Sequence, residues 1–469
     1  MWQIIKNEWV SLFRNRILLL VSIGFLGLLA LTVLLGIQQT NNQSERQQHA
    51  KEHLRAQWDS LEAMNPHRAA HYGTYVFKPT GLLNGLDEGV NSITGNVLRV
   101  EGHVQNEIVH SEASQSQAVS KFGKLKSALL LQYIVPLLLI FLAFQSINSE
   151  KQSGRIKLLL LQGMSPSKLL FGKVFSVWIY SIGLLSCTVI VYTLINLNVL
   201  SSDIVFRTLL LFLSYSLYYF ILSALTVSLT ARWKNGNLAL TFMLATWILW
   251  TIFIPNILMS TVESWHELPS RSDFKSAMKE DRSKGLDGHN PEDERSKALE
   301  VRVLKEYGVD SLSQLPINFD GIVMQEDEEY GNKVWDKHFG ALRTVLAKQK
   351  VNYQLGGIIN PFISLQNASM GFAGNDNFHH QDFLVQVENY RRVFIKSLND
   401  EHAFGGSTTG DWSWNAEQKF FQSIEDFDYQ PVKFSIAVSN YFRDLGCLIL
   451  WVVLVSLLLI FGTGKMEIL

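Results

Sequence analysis

Six apolar runs constrain the fold of this 469-residue chain more than any other feature of its sequence. The hydrocarbon core of a bilayer is about 30 Å thick, and a helix of about 20 apolar residues crosses it. The runs span residues 17–37, 127–147, 174–197, 204–230, 238–259 and 445–463. We therefore predict an all-α integral membrane protein with six transmembrane helices.

Two long polar stretches, residues 38–126 and 260–434, lie between these runs. Apolar residues recur at helical spacing through much of both stretches, and glycine and proline interrupt the pattern. The first stretch begins with a predicted helix over residues 45–64 and has short extended pieces between residues 71 and 96. We predict two mainly helical insertions that pack on each other.

Positive charges beside the runs predict how the chain crosses the membrane. Lys and Arg are frequent in residues 1–16 and in loop 148–173, whereas the short loop 198–203 contains neither. Short cytoplasmic loops carry the excess of Lys and Arg. We therefore expect both termini and loop 148–173 in the cytoplasm and both insertions outside. Residues 174–259 then hold the third to fifth spans, and residues 435–469 hold the sixth span and a cytoplasmic tail.

Residues 1–16 have an apolar face at helical spacing that includes Trp2, Ile5 and Trp9. Tryptophan favours the headgroup region of a bilayer. We interpret the segment as an amphipathic helix in the inner interface, with Trp2 and Trp9 as its anchors. The alternative interpretation is a frayed polar tail.

Loop 148–173 is too polar to enter the bilayer and too short to be a domain. Its acidic Glu150 precedes an apolar stretch at residues 158–161. Pro166 after Ser165 is typical of a helix start with a serine cap. These features predict a short helix under the membrane, of the kind that takes force from a soluble motor. The alternative is an ordinary loop with positive charges.

The sequence lacks the motifs of common phosphate-binding and hydrolytic sites. A P-loop needs spaced glycines followed by Lys and Ser or Thr, and residues 462–465 have only part of that pattern. Neither HExxH nor GxSxG is present. We therefore predict no catalytic residue, and a chain that is not an enzyme and does not hydrolyse ATP by itself.

The charge and cysteine content of the sequence exclude further classes of protein. The net charge of −1 gives no case for nucleic-acid binding. The two cysteines, Cys187 and Cys447, lie in membrane runs, so neither insertion can contain a disulfide. No Asp, Glu, Lys or His lies deep in any run, unlike in proton- or sodium-coupled carriers.

Polar residues in the fourth run have a structural interpretation. Arg207 lies near its outer end, where a long side chain is expected to snorkel towards the headgroups. Serines and tyrosines at residues 214–223 form a patch in mid-run. We interpret this patch as helix packing, with a substrate-facing or subunit-facing wall as the alternative.

Histidines occur in close pairs, His67 with His71 and His379 with His380. A zinc site needs three or four ligands at compatible positions. The sequence reveals no third partner for either pair, so we predict no metal site.

Together these features resemble the type-2 ABC transporter permeases (ABC-2 type). The resemblance includes the inner loop, with Glu150 and Arg155 followed by Ser165-Pro166 and Lys173. It is closest to a bacterial branch with two large insertions and a domain of unknown function. Two stretches carry that closer similarity. The first includes His71, Gly73, Pro79, Glu101, His103 and Asn106, and the second includes Asn360, Pro361, Phe362, His379, His380 and Tyr390.

The resemblance implies a location, partners and roles. It places the chain in the bacterial inner membrane, with periplasmic insertions, beside a second permease copy or paralogue and a cytoplasmic ATPase that binds ATP and Mg²⁺. The chain itself is expected to bind no cofactor. The implied ATPase-coupling residues are Ser149, Glu150, Gly154, Arg155, Pro166 and Lys173. The interfacial helix is an expected lateral contact, and the two insertion motifs are interpreted as scaffolding rather than a cargo site.

Three function classes follow. The first is a permease subunit that couples ATP hydrolysis by its partner to export of a hydrophobic or amphipathic substrate. The second is a mechanotransmission subunit that drives periplasmic partners or extracts lipoproteins without moving cargo across the membrane. The third is a membrane anchor without transport. The sequence leaves open the cargo, the transport direction and the choice between a homodimer and a heterodimer.

Overall fold

The computed structural model describes residues 1–105, 126–286 and 292–461, and most of this part is helical. Within it, six helices are long and apolar enough to cross a membrane. They are α2 (Arg16–Asp59), α5 (Ser127–Gln152), α7 (Pro166–Ile195), α8 (Ser202–Arg232), α9 (Gly236–Trp265) and α16 (Phe434–Phe461). The prediction of an all-α membrane protein with six spans is confirmed.

The other elements are shorter or more polar. The helices are α1 (Trp2–Arg14), α3 (Pro66–Tyr72), α4 (Asn91–Thr94), α6 (Arg155–Leu161), α10 (Arg271–Lys284), α11 (Glu292–Tyr307), α12 (Phe319–Leu355), α13 (Pro361–Ala373), α14 (Asn377–Phe404) and α15 (Gln418–Ser423). Strands β1 (Thr74–Phe77) and β2 (Val97–Val100) pair antiparallel, with Thr74 opposite Val100. This hairpin accounts for the extended pieces that the sequence predicted in the first insertion.

Helix α2 runs without a break from the first span into the first insertion. The sequence predicted separate helices at residues 17–37 and 45–64. The polar residues between them include neither glycine nor proline, so nothing stops the helix. At 44 residues, α2 is about 66 Å long, more than twice the thickness of a bilayer core. Its carboxy-terminal half is therefore a direct extension of the span.

Helix α8 lies at the centre of the helix bundle. Its mid-length side chains Tyr215, Tyr218 and Tyr219 are fully buried. The Tyr219 hydroxyl donates to the Leu131 carbonyl at 2.8 Å, and the Trp178 indole donates to the Ser216 carbonyl at 2.9 Å. The polar patch of the fourth run therefore lies in contacts between helices.

Helix α13 belongs to the second polar stretch, yet it packs among the spans. Phe362 is fully buried, with its ring 6.1 Å from that of Tyr218 at the middle of α8. The Asn360 amide donates to the Trp250 carbonyl at 2.7 Å, in a π-helical turn of α9 that precedes Pro255. Proline has no N–H to offer that turn, so the asparagine supplies a donor to a buried carbonyl.

The two insertions share one hydrophobic core, as the sequence analysis expected. The first contributes Trp58 and Val76, and the second contributes Phe383, Phe394 and Phe421. The Trp58 indole also donates to the Phe421 carbonyl at 2.8 Å. Because the apolar faces of both insertions meet here, they are expected to fold as one body.

Candidate functional site

Loop 148–173 forms a short exposed helix, α6, between the second and third spans. Helix α5 ends at Gln152, and Gly154 turns the chain with φ +72°, a conformation that glycine adopts without strain. Ile156, a residue of α6, is buried against the helix bundle. Leu158 and Leu161 point away from the bundle, 58% and 77% exposed. Exposed leucines side by side on a loop helix are a surface that fits a protein partner.

A buried cluster of charges lies beside α6. Lys173, on α7, is only 1% exposed. Its ammonium lies 2.8 Å from Glu150 Oε2 at the end of α5 and also pairs with Glu8 of α1. It donates a further hydrogen bond to the Ser146 carbonyl at 3.1 Å. A buried ammonium requires such partners, so the cluster fixes α1, α5 and α7 to one another.

The cluster changes the role that the sequence gave to Glu150. The resemblance implied that this carboxylate couples the chain to an ATPase, but Lys173 of the same chain pairs with it. Glu8 was missed altogether, although it is the only acidic residue in segment 1–16. Burial raises the pKa of Glu8, and the neighbouring Lys173 acts against that rise.

Helix α1 packs along α7 rather than standing alone. The Trp9 indole donates to the Ser176 carbonyl at 3.2 Å. Gly172 allows Ile4 to approach, since a Cβ there would lie 2.9 Å from an Ile4 methyl carbon. Trp2 is 72% exposed and remains available to a lipid headgroup region or a partner. The two predicted anchors therefore have different environments.

The other residues for which the resemblance implies ATPase coupling lie around the same loop. Arg155 is exposed and donates from Nε to the Ser153 hydroxyl at 3.0 Å. The Ser149 carbonyl accepts the Ser153 amide at 3.1 Å. Pro166 opens α7 as predicted. Ser165 occupies the cap position before it, but its side chain makes no capping hydrogen bond.

The first insertion motif places three imidazole rings together. His67 and His71 lie one turn apart on α3, with their Nε2 atoms 3.2 Å from each other. His103, in the turn after β2, completes a group whose ring nitrogens lie within 4.8 Å of one another. The sequence reveals no third partner for this pair, and the fold supplies one. Burial and then the neighbouring rings lower the pKa of His67 to about 4.

Backbone contacts hold the turn of His103 against α3. The Gly102 amide donates to the Ala70 carbonyl at 2.9 Å. Gly73 ends α3 in the left-handed region. Among the other motif residues, Glu101 pairs with Arg99 at 2.9 Å. Asn106 lies outside the described residues.

A buried ion network supports His103 from the second insertion. Glu328 of α12 lies 3.0 Å from His103 Nδ1 and also accepts the His103 backbone N–H. Arg391 of α14 donates to the second oxygen of Glu328 at 2.9 Å. Burial alone would raise the pKa of Glu328, but these partners outweigh it and lower the pKa to about 2.

The second motif serves packing and capping. Asn360 caps α13, Pro361 occupies its first turn, and Phe362 is buried. The Tyr390 hydroxyl donates to the Glu425 carbonyl at 3.0 Å. His380 is buried, which lowers its pKa to about 4. These are packing and capping contacts, and the interpretation of the motif as scaffolding stays a prediction.

His379 joins the second insertion to the fourth span. Its Nδ1 lies 2.7 Å from Asp376 Oδ1, and its Nε2 lies 3.3 Å from Nη1 of Arg207. Arg207 also donates to Asp203 and to the Val432 carbonyl, each at 2.7 Å. The Arg207 guanidinium thus has partners within the protein and lines the wall of a cavity, whereas the sequence predicted that it would snorkel towards the headgroups.

A cavity of about 410 Å³ opens at this junction. Apolar side chains such as Leu82 and Ile204 line it together with Lys78, Pro79 and Arg207. The lining also includes Asp203, but the cationic Lys78, Arg207 and Lys433 outnumber it, so the cavity suits an amphipathic molecule with an anionic group.

Comparison with known families agrees with this architecture. A family model described as ABC-2 family transporter protein matches residues 2–291. A second, described as Domain of unknown function (DUF3526), matches residues 271–431, which make up most of the second insertion. Neither a curated protein nor a solved structure matches the chain.

Proposed function

Since the chain belongs to the ABC-2 family of transporter proteins, we propose that it is the permease subunit of a transporter whose ATPase is a separate cytoplasmic protein. ATP and Mg²⁺ would bind to that partner. A second copy or a paralogue of this chain would complete the membrane half. The positive charges of segment 1–16 and loop 148–173 support cytoplasmic termini in a bacterial inner membrane.

The surface of α6 supports the docking of the ATPase. Leu158 and Leu161 are the exposed apolar residues of this helix, and they can fill a groove on a partner. Lys173 joins α5, α7 and α1 through Glu150 and Glu8, and α6 connects the first two of these helices in the chain. Movement of α6 would therefore shift three helices together. This buried charge cluster is the observation that carries the proposal.

We propose export of a hydrophobic or amphipathic substrate as the transport activity. The support is the cavity at the outer end of α8, where Leu82 and Ile204 lie beside Arg207. A lipid-like molecule with an anionic group would find both an apolar wall and a cationic group there.

A mechanotransmission role is the second candidate, and two continuous contacts favour it. Helix α2 carries the first span directly into the insertions. Helix α13 reaches mid-length of α8 through Phe362. Rearrangement of the spans would thus move the insertions, which could act on a periplasmic partner without cargo crossing the membrane.

The docking proposal can be tested with one substitution and a matched control. Leu161→Asp places a charge on the exposed face of α6, whereas Val301→Asp does so on α11, where Val301 is 66% exposed. The tagged chains are purified from native membranes in mild detergent, followed by mass spectrometry and an ATP hydrolysis assay. We expect a Walker-motif ATPase with the wild type and Val301→Asp, and its loss with Leu161→Asp. Equal recovery in all three would contradict docking at α6, and no ATPase at all would favour the anchor alternative.

A further inference from the structure

Two of the three clustered histidines already have the spacing of metal ligands. The Nε2 atoms of His67 and His71 lie 3.2 Å apart. In a tetrahedral zinc site with Zn–N bonds of about 2.0–2.1 Å, neighbouring nitrogens are about 3.3 Å apart. Histidines four residues apart on a helix can therefore share one ion with little adjustment.

His103 supplies a third ring from a separate segment. One nitrogen of each ring lies within 4.8 Å of the others, so a side-chain shift of about 1–2 Å would bring all three to the bond lengths of a zinc site. His103 is also the only non-glycine residue with positive φ in the described part of the chain, at +62°. Such a conformation is costly and occurs mainly where the surroundings enforce it.

Glu328 orients the His103 ring in the manner of a metal site. Its Oε1 lies 3.0 Å from Nδ1, which leaves Nε2 of His103 available as a ligand. Histidines bound to metals commonly donate their other N–H to a carboxylate, which fixes the tautomer and raises ligand basicity. Arg391 in turn holds Glu328. The support extends from the first insertion into α12 and α14 of the second.

We propose that His67, His71 and His103 bind a divalent transition-metal ion, Zn²⁺ in the first instance, which fastens the turn after β2 to α3 within the first insertion. Three imidazoles and one open position are a common catalytic or exchangeable zinc arrangement. His71 is exposed, so water or an external ligand can take the fourth position. Metal binding here does not depend on an ATPase.

The test uses the full-length chain with an affinity tag that contains no histidine. The protein is stripped with a chelator, and its Zn²⁺ affinity is measured by competition with a chromophoric chelator at pH 7.5. His103→Asn removes the ligand atom, tolerates positive φ and keeps a donor for Glu328. His71→Ala removes a second ligand. His53→Ala is the matched control, because His53 is an exposed histidine of the same insertion outside the cluster.

We expect one Zn²⁺ per chain in the wild type and in His53→Ala. His103→Asn and His71→Ala should each weaken binding at least about 100-fold, and Glu328→Gln about 10- to 100-fold. Zn²⁺ should raise the melting temperature of the wild type but not that of His103→Asn. Should His103→Asn fail to fold, His71→Ala gives the same comparison from an exposed position. Equal Zn²⁺ affinity in the wild type and the ligand variants would overturn the proposal, as would the absence of binding by the wild type.

Discussion

Lys173 and Glu150 lie on two different spans and hold their charged atoms 2.8 Å apart, with the lysine almost completely buried. The same ammonium pairs with Glu8, which is 165 residues away in sequence. One cation thus connects the amino-terminal helix, the end of α5 and the start of α7. Helix α6, the proposed docking helix, joins two of these three elements.

Replacing Lys173 with Met should destabilise the protein by about 3–5 kcal/mol, because two buried carboxylates would lose their shared cation. Lys168→Met is the control, since Lys168 is an exposed lysine on the same helix. Thermal unfolding in detergent measures the difference. We also expect the ATPase of a purified complex to lose its stimulation by the permease. Equal melting temperatures for the two variants would show that the ion cluster is not a structural link.

Asp376 predicts a pH dependence of stability. Burial alone would raise the pKa of Asp376, but the hydrogen bond from His379 and the charge of Lys350 outweigh it. The pKa therefore lies well below its ordinary value of 3.8. A carboxyl group with a lowered folded pKa contributes stability in full above its unfolded pKa, and this contribution is lost progressively as the pH falls through the lowered folded pKa. Asp376 also accepts the Tyr441 hydroxyl at 2.9 Å, so the link reaches α16.

Asp376→Asn should therefore melt below the wild type at pH 7, and the gap should narrow progressively as the pH falls below about 4. The asparagine keeps the helix cap but not the charge. Asp400→Asn, which removes a half-exposed helix-surface carboxylate, should show little difference at any pH. A gap for Asp376→Asn that stays constant across this range would argue against the lowered pKa.

Arg207→Lys should be destabilising although it conserves charge. The guanidinium bonds to Asp203 and to the Val432 carbonyl and lies 3.3 Å from His379 Nε2. A lysine ammonium cannot make these three contacts at once. We therefore expect a loss of about 1.5–3 kcal/mol in the free energy of unfolding. Arg302→Lys, at an exposed ion pair, should change stability by less than about 0.5 kcal/mol. Similar values for both would mean that Arg207 contributes only its charge.

The spans and the inner helix could be predicted because their sequence signals are local. An apolar run of membrane length, or a proline in the first turn of a helix, needs no partner elsewhere in the chain. Helix α13 gave no such signal. At 13 residues it is too short to count as a span, and only its packing against α8 and α16 shows where it lies.

The charge and histidine clusters could not be predicted, because each joins segments distant in sequence. No local pattern indicates that Glu8 meets Lys173 rather than another lysine. His103 reaches His67 only through the pairing of β1 with β2 and the contact of Gly102 with Ala70. The sequence shows which segments contain ionisable residues. It does not show which of these residues are buried or which partner each one meets.

Gly371 tests whether α13 must approach α16 closely. A Cβ at Gly371 would lie 2.0 Å from a ring carbon of Tyr441, which is fully buried. Gly371→Ala should therefore force the two helices apart and cost about 1–3 kcal/mol in the free energy of unfolding. Gly183→Ala is the matched control, because Gly183 lies within α7 with nothing within 4 Å of its Cβ position. There alanine should be neutral or stabilise by up to about 1 kcal/mol, through its higher helix propensity. Thermal unfolding of both variants in detergent gives the comparison, and equal stability would show that α13 can shift away from Tyr441 without loss.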